Sequence, residues 1–235
     1  MSNAPKPFVS VIIAALNEEA AIAQVVKSVP KDVADEIIVV DNGSKDRTAE
    51  IAAVAGARVV KEPVPGYGRA FGAGLRAVSP QCEIVVFLDG DGSDCPEMMD
   101  RLVTPIVAGK ADFVIGSRTR GHREAGSMNF HQVLAGYTIG FILRVLYGVR
   151  STDMGPFRAI RRDTLERLKL REETYGWPLE MQMRAARAHV ATMEVPVDYR
   201  QRAGGRSKIA GTVRGSILAA SRILITLARI AAQRH

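Results

Sequence analysis

Short runs of apolar residues rich in Val and Ile recur along the first half of the chain. Each is followed by a polar or glycine-bearing turn and then by a helical stretch. The runs cover residues 9–15, 36–40, 57–60, 84–88 and 113–116. They are continuous rather than alternating, which predicts strands covered on both faces, as in a parallel sheet. Helix starts are legible between them. Asn17 is suited to cap a helix whose first turn carries Glu18 and Glu19, and Asp94 and Cys95 precede Pro96 and Glu97, a favourable first turn. Strands alternating with helices at this spacing predict a doubly wound α/β sheet. The second half is less regular. It predicts a long, nearly uncharged helix over 130–147, a strand over 156–161, a helix over 177–189, a strand over 190–199 and a closing helix over 207–233.

In an open parallel sheet, ligands bind beyond the carboxyl ends of the strands. Four polar clusters fall there: Asn17-Glu18, Asp41-Asn42, Asp89-Gly-Asp91 and Ser117-Arg118. Each alone reads equally well as a turn or a helix cap. Together they predict one site along one edge. Asp89 and Asp91 in "VVFLDGDGSDCPE" are the sharpest feature. Two carboxylates this close repel unless a positive charge lies between them. A divalent cation with oxygen ligands, completed by substrate phosphates, is the natural partner. A calcium loop is excluded, because its spaced ligands and distal Glu are missing. "PGYGRAFGAG" lacks the Lys-Ser/Thr of a phosphate loop and reads as a turn plus close helix packing beside the site.

Composition changes this picture in one place. The 235 residues carry a net charge of +7, yet Tyr199 to His235 holds eight basic residues and no acidic one, leaving 24 basic and 25 acidic residues elsewhere. The excess positive charge is therefore confined to a C-terminal appendage suited to phosphates or acidic head groups. That stretch offers no aromatic residue after Tyr199 for base stacking, so nucleic acid is not the expected partner. Two cysteines, Cys82 and Cys95, are expected as small buried packing residues in a reducing cytoplasm. No basic and apolar leader is visible at the start, and the four histidines lack metal-ligand spacing.

The ordered motifs resemble the inverting family 2 glycosyltransferases of the GT-A fold, especially the branch of dolichyl- and polyprenyl-phosphate sugar synthases. The likeness runs over roughly residues 8–210. "ALNEE" is similar to the family's nucleotide-pocket motif, which implies Ala15, Leu16, Asn17 and Glu18. "VVDNGSKDRT" resembles its base-binding motif, implying Asp41 and Asn42. "LDGDGSD" resembles its metal motif, with Asp91 implied as a ligand of Mg²⁺ or Mn²⁺ and Asp89 near metal and ribose. "VIGSR" implies Arg118 facing an acceptor phosphate, and "STDMGPFRAIRR" implies Asp153 on the acceptor side. "VPVDYRQRAGGRSKI" implies phosphate contacts from Arg202, Ser207 and Lys208. The motif of processive polysaccharide synthases is absent, and so are the hydrophobic hairpins that anchor many relatives.

The resemblance implies transfer of a hexose from a UDP- or GDP-sugar to a lipid-linked phosphate, with inversion. A phosphate monoester is already an anionic nucleophile near neutral pH and needs no base. For a hydroxyl acceptor, Asp153 and Glu180 are the carboxylates to watch, although Glu180 also reads as an ion pair with Arg184, four residues on. Residues 1–206 are expected to form the catalytic domain and 207–235 a basic amphipathic helix. Arg214, Arg222 and Arg229 recur near one face of that helix, so it is expected to lie in the head-group plane rather than span a bilayer. Helix 130–147 is either a second interfacial element, a lipid-facing lip, or a buried core helix. The expected setting is the cytoplasmic face of the membrane, in cell-envelope assembly. The alternative is a soluble or hydroxyl acceptor, with the terminal helix serving a homo-oligomer.

Overall fold

The computed structural model describes residues 6–204, 226, 227, 229 and 230. Seven strands build one sheet: β1 (Val9–Ala15), β2 (Glu36–Asp41), β3 (Arg58–Lys61), β4 (Ile84–Asp89), β5 (Phe113–Ser117), β6 (Arg158–Arg161) and β7 (Thr192–Pro196). Their spatial order is β3-β2-β1-β4-β6-β5-β7. β1, β2, β3 and β4 run parallel, as do β5 and β7. β6 is antiparallel to both β4 and β5. The α/β class and the mostly parallel sheet are thus as the sequence predicts. The reversal of β6 has a consequence for the site. Its neighbours end at the edge where it begins, so the segment that leads into it arrives beside the ends of β1, β2, β4 and β5.

Alternate side chains of each strand feed two cores, as pleating requires. Val9, Val11, Ile13 and Ala15 face a layer made by α1 (Ile22–Ser28), α2 (Thr48–Val54) and α4 (Met99–Val107). Ile12 faces the other layer, made by α3 (Tyr67–Ala77), α6 (Arg162–Leu168) and α7 (Trp177–Arg187). α5 (Phe130–Tyr147) packs instead on the far side of α7, where Ile139 and Leu143 meet Leu179, Met183 and Ile230. Cys82 and Cys95 are buried and unpaired with each other, the packing role expected of them.

Several boundaries differ from the sequence reading. α1 begins at Ile22, so Asn17 is no cap and Glu18 and Glu19 occupy no first turn. Asn17 sits in the left-handed region with φ +53°, whereas a capping residue needs extended backbone. A single 3₁₀ turn over Pro96–Met98 leads into α4, and Asp94 caps nothing there. The expected strands over 156–161 and 190–199 shorten to β6 and β7, and the helix over 177–189 ends at Arg187. The expected helix over 207–233 lies mostly outside the described residues, as do Ser207 and Lys208. No helix among the described residues is long and apolar enough to cross a membrane.

The glycine-rich stretch does what close packing demands. A Cβ on Gly68 would stand 2.1 Å from the backbone oxygen of Glu172, and one on Gly74 would stand 2.4 Å from Cγ2 of Ile12. Carbonyl oxygens do not yield as flexible side chains do. Gly68→Ala is therefore expected to destabilise the fold by about 1–3 kcal/mol, read as a lower denaturant midpoint with an unchanged m-value.

Candidate active site

The strand ends deliver the predicted residues to one edge. Ala15 ends β1, Asp41 ends β2, Asp89 ends β4 and Ser117 ends β5. Loops then lock onto each other through side chains. The Asn17 backbone N–H donates to Ser44 Oγ at 2.9 Å, and Lys45 N–H donates back to Asn17 Oδ1 at 2.7 Å. Glu18 N–H donates to Thr48 Oγ1 at 2.8 Å. Asn42 is a strut: its amide donates to the carbonyls of Glu62 and Val64 at 3.0 and 2.8 Å, while its Oδ1 accepts from Gly66 N–H at 2.8 Å. Asp41 Oδ1 accepts from Ser44 N–H at 2.9 Å. Asn17 and Asn42 thus shape the loops with the polar atoms that the sequence reading assigned to ligand contact.

These loops wall a cleft of about 150 Å³ lined by Ala15, Leu16, Glu18, Asn42, Asp89, Asp91 and Arg202, together with Pro65, Gly66, Tyr67 and Tyr175. Its floor is a crowd of carboxylates at the end of β4. Burial pushes the Asp89 carboxyl far above its ordinary range, and the charges of Asp91 and Asp94 add to the effect. Asp94 is pushed up to about 7 by burial and by Asp91. Donors meet part of the demand. Tyr67 donates its hydroxyl to Asp89 Oδ1 at 2.9 Å, Ser93 N–H donates to Asp91 Oδ1 at 2.9 Å, and Asp89 N–H donates to Asp94 Oδ2 at 3.1 Å. Arg202 bridges the cleft, reaching Glu18 Oε1 at 2.5 Å and Asp91 Oδ2 at 2.8 Å. Asp94 Oδ1 stays buried with no hydrogen-bond partner.

That surplus of acceptors is what a cation site looks like. Among the described residues no three His, Cys, Asp or Glu side chains gather to hold a metal by themselves. Mg²⁺ and similar ions take one or two carboxylates and complete the shell with phosphates and water. Asp91, with Asp89 beside it, fits that pattern.

A second cluster stands at the end of β5. Arg118 clasps Asp153 along one edge of its guanidinium, Nε to Oδ2 at 2.8 Å and Nη2 to Oδ1 at 2.7 Å. Its own backbone N–H adds a third contact at 2.8 Å, and Met154 N–H donates to Oδ1 at 2.7 Å. Burial would raise the Asp153 carboxyl, but the Arg118 charge and these hydrogen bonds outweigh it and hold the group below its ordinary value of 3.8. The Arg118 guanidinium also lies 4.9 Å from the centre of the Tyr199 ring, a cation–π contact. Tyr199 in turn meets Ser93 Oγ at 3.0 Å, which ties this cluster to the carboxylate floor. Arg118 and Asp153 were expected as separate contacts to a substrate; here they hold each other.

Glu180 is fully buried and spent on structure. It pairs with Arg184 at 2.9 Å and accepts from the N–H groups of Arg171 and Glu172. The ion-pair reading of this residue is the one the structure supports.

A family comparison decides what this edge belongs to: residues 10–169 match the sequence profile of glycosyl transferase family 2. The chain is a member of that family. It is 38% identical over 213 residues to an uncharacterized glycosyltransferase of Mycobacterium tuberculosis, covering 90% of this chain and 94% of the relative. It is 35% identical to a dolichyl-phosphate hexose transferase of Haloferax volcanii, covering 83% and 84%. Among solved structures it is similar to the glucosyl-3-phosphoglycerate synthase of M. tuberculosis in complex with Mn²⁺, UDP-glucose and phosphoglyceric acid. The TM-score is 0.76 at 25% identity, over 97% of this chain and 81% of that one. The protein is therefore a glycosyltransferase of the GT-A fold.

Sequence reading missed Tyr67, Tyr175, Asp94 and Tyr199. Tyr67 lay in the glycine-rich stretch assigned to packing, and Asp94 in the string assigned to a helix start. Tyr175 stacks on Tyr67 with ring centres 6.2 Å apart, a contact across more than a hundred residues that no local pattern reveals.

The Arg118–Asp153 pair makes a stability prediction. Arg118→Met leaves a buried carboxylate unpaired and is expected to cost about 3–5 kcal/mol at pH 7. Arg118→Met with Asp153→Leu should cost less than the two single changes summed. Because the folded Asp153 value is depressed, the pair's contribution is fully present above 3.8 and fades as pH falls below it through the lower folded value. Urea unfolding from pH 7 to pH 2.5 checks this. The gap between wild type and Arg118→Met should narrow with acid.

Proposed function

We propose that this glycosyltransferase moves a hexose, with inversion, from a UDP- or GDP-sugar to a polyprenyl- or dolichyl-phosphate type of acceptor, assisted by Mg²⁺ or Mn²⁺. The carrying observation is that Asp153 and Glu180, the two carboxylates the sequence offered as bases for a hydroxyl acceptor, are both occupied. Asp153 is committed on both oxygens and held ionised by Arg118, and Glu180 is buried in its own ion pair. An acceptor that arrives as a phosphate anion needs no base.

The residues then take roles by position. Ala15, Leu16 and Glu18 wall the nucleotide side of the cleft, and Asp41 stands at the β2 end where the base would lie. Asn17 and Asn42 hold those walls in place. Tyr67 orients Asp89 toward the ribose and the metal side. Asp91 and Asp89 would hold the divalent ion, which supplies Lewis-acid stabilisation of the departing diphosphate. Arg202 stands close enough to add a second positive charge to the same leaving group. Ser207 and Lys208 are proposed to extend that phosphate contact, and residues 207–235 to form a basic appendage at the head-group plane. The relative from Haloferax volcanii supports a lipid-phosphate acceptor, and the absence of stacking side chains in the basic tail argues against nucleic acid.

A second reading is favoured by the structural similarity to an enzyme crystallised with phosphoglyceric acid. There the acceptor is soluble and the terminal segment is free to serve a homo-oligomer. In that case Asp94, the remaining carboxylate of the β4 end, is the residue to test as a base.

Nucleoside diphosphate release across a panel of UDP- and GDP-sugars, with and without a short polyprenyl phosphate, separates the two. Release is expected to require both the divalent metal and the lipid phosphate. Asp91→Ala should lower turnover by about a hundredfold or more, with a melting temperature close to wild type. Metal-dependent release that ignores the lipid but responds to phosphoglyceric acid, and is lost in Asp94→Asn, would establish the soluble acceptor instead.

The oxygen of Tyr67 gives a finer prediction. Tyr67→Phe removes the hydroxyl that donates to Asp89 while keeping the ring packed on Phe71. Turnover is expected to fall by about tenfold, the scale of one lost hydrogen bond to a charged group, with little change in stability.

A further inference from the structure

α5 is apolar on both of its faces. Its inner row, Gly136, Ile139, Gly140 and Leu143, is buried. Its outer row is Leu134, Tyr137, Phe141 and Val145, spaced three and four residues apart as one face of a helix requires. These four are exposed to 51%, 54%, 68% and 66%. They are the main concentration of exposed large apolar side chains among the described residues. A helix that is hydrophobic all round is ordinarily buried, so the outer row calls for a cover. The tail residues that are described do not supply it, because Leu227 and Ile230 pack against the inner row.

Charge identifies the cover. No Asp or Glu occurs between Glu124 and Asp153, a stretch that carries Arg144 and Arg150. Arg144 and Arg150 are both exposed and flank the outer row at its C-terminal end. A protein partner would ordinarily meet mixed charge at the rim of such a patch. An apolar strip with two exposed arginines at one end, on a stretch free of carboxylates, matches a bilayer with acidic head groups. Tyr137 adds an amphipathic ring of the kind that settles at the head-group level.

Position links the strip to the chemistry. α5 lies against the segment that leads to Asp153: a Cβ on Gly140 would stand 2.0 Å from the Ser151 oxygen, and one on Gly136 would stand 3.3 Å from the Thr152 oxygen. The helix that carries the strip is thus packed directly on the segment that leads to Asp153. We propose that the outer row of α5 is a docking surface for an anionic lipid bilayer, which seats the enzyme so that a head-group phosphate enters the site from the α5 side. The proposal rests on the lipid-acceptor reading for its purpose, but its test needs no substrate.

The full chain is mixed with vesicles of phosphatidylcholine alone or with about one third phosphatidylglycerol, and the bound fraction is read by flotation. Binding is expected to the anionic vesicles and to fall by about tenfold or more in Phe141→Ser with Val145→Ser. Both positions are exposed, so the melting temperature should not drop. Phe141→Trp serves as the second variant and should bind as well as wild type or better. Wild-type protein that ignores anionic vesicles overturns the proposal. So does a double variant that binds as wild type does, which would assign the membrane contact to the basic tail. A wild-type dimer that the double variant converts to monomer, with vesicle binding unaltered, would assign the strip to a second copy. Vesicle binding lost as expected, alongside release that ignores polyprenyl phosphate, would leave the docking surface standing and sink the lipid acceptor alone.

Discussion

The crowding of Asp89, Asp91 and Asp94 at the end of β4 is the constraint around which the rest of the site is arranged. Three carboxylates in a buried corner cannot all ionise without positive charge nearby. Arg202 supplies some of it, but from a loop more than a hundred residues away that must be brought across the cleft. Tyr67 and the backbone N–H groups of Asp89 and Ser93 supply directed hydrogen bonds. Their sum is incomplete, as the orphaned Asp94 Oδ1 shows. A fold that keeps such a corner at a cost of several kcal/mol is one in which the negative charge serves a ligand rather than the fold.

Neighbouring elements follow from placing that corner where it can work. A parallel sheet puts the ends of β1, β2 and β4 on one edge without further instruction. It does not by itself bring a cationic group to the far side. Arg118 arrives there directly at the end of β5, and the antiparallel β6, by starting where its neighbours finish, delivers Asp153 to pair with it. Asp153 then fixes Arg118 by three hydrogen bonds while Met154 N–H braces the carboxylate with a fourth, so the guanidinium is held in one rotamer next to the anionic floor. Tyr199 and Ser93 close the gap between the two clusters. The edge therefore carries a carboxylate-rich corner suited to a metal beside a charge-balanced Arg118–Asp153 pair.

The strands were legible because continuous Val and Ile runs have few other uses, and β1, β2, β4 and β5 begin and end within a residue of the apolar runs. Boundaries failed where tertiary contacts overrule local preference. Asn17 looks like a helix cap in isolation, but its side chain is better satisfied by Lys45 and its backbone by Ser44, which draws it into the left-handed region. The carboxylates of the site were visible because charged residues directly after an apolar strand are conspicuous. Their partners were not. Tyr67 and Tyr175 are ordinary aromatic residues in sequence, and no local pattern shows that Asn42, which lines the cleft, also holds its loops by three hydrogen bonds.

α5 shows the same limit from the other side. Its sequence is apolar enough to be a core helix and charged too little to be a surface one, so periodicity alone left the lip and the core as equal readings. Packing separates the two halves of the helix. The glycines at 136 and 140 let it press onto the backbone at Ser151 and Thr152, which buries one row and turns Phe141 and Val145 outward. The core reading therefore holds for the inner face, while the outer face is exposed. The same contact that buries the inner row also anchors α5 on the segment that leads to Asp153. An amphipathic donor cleft and an apolar outer strip on the same edge make sense together if one substrate comes from water and the other from a surface, because each then approaches through the medium that already solvates it.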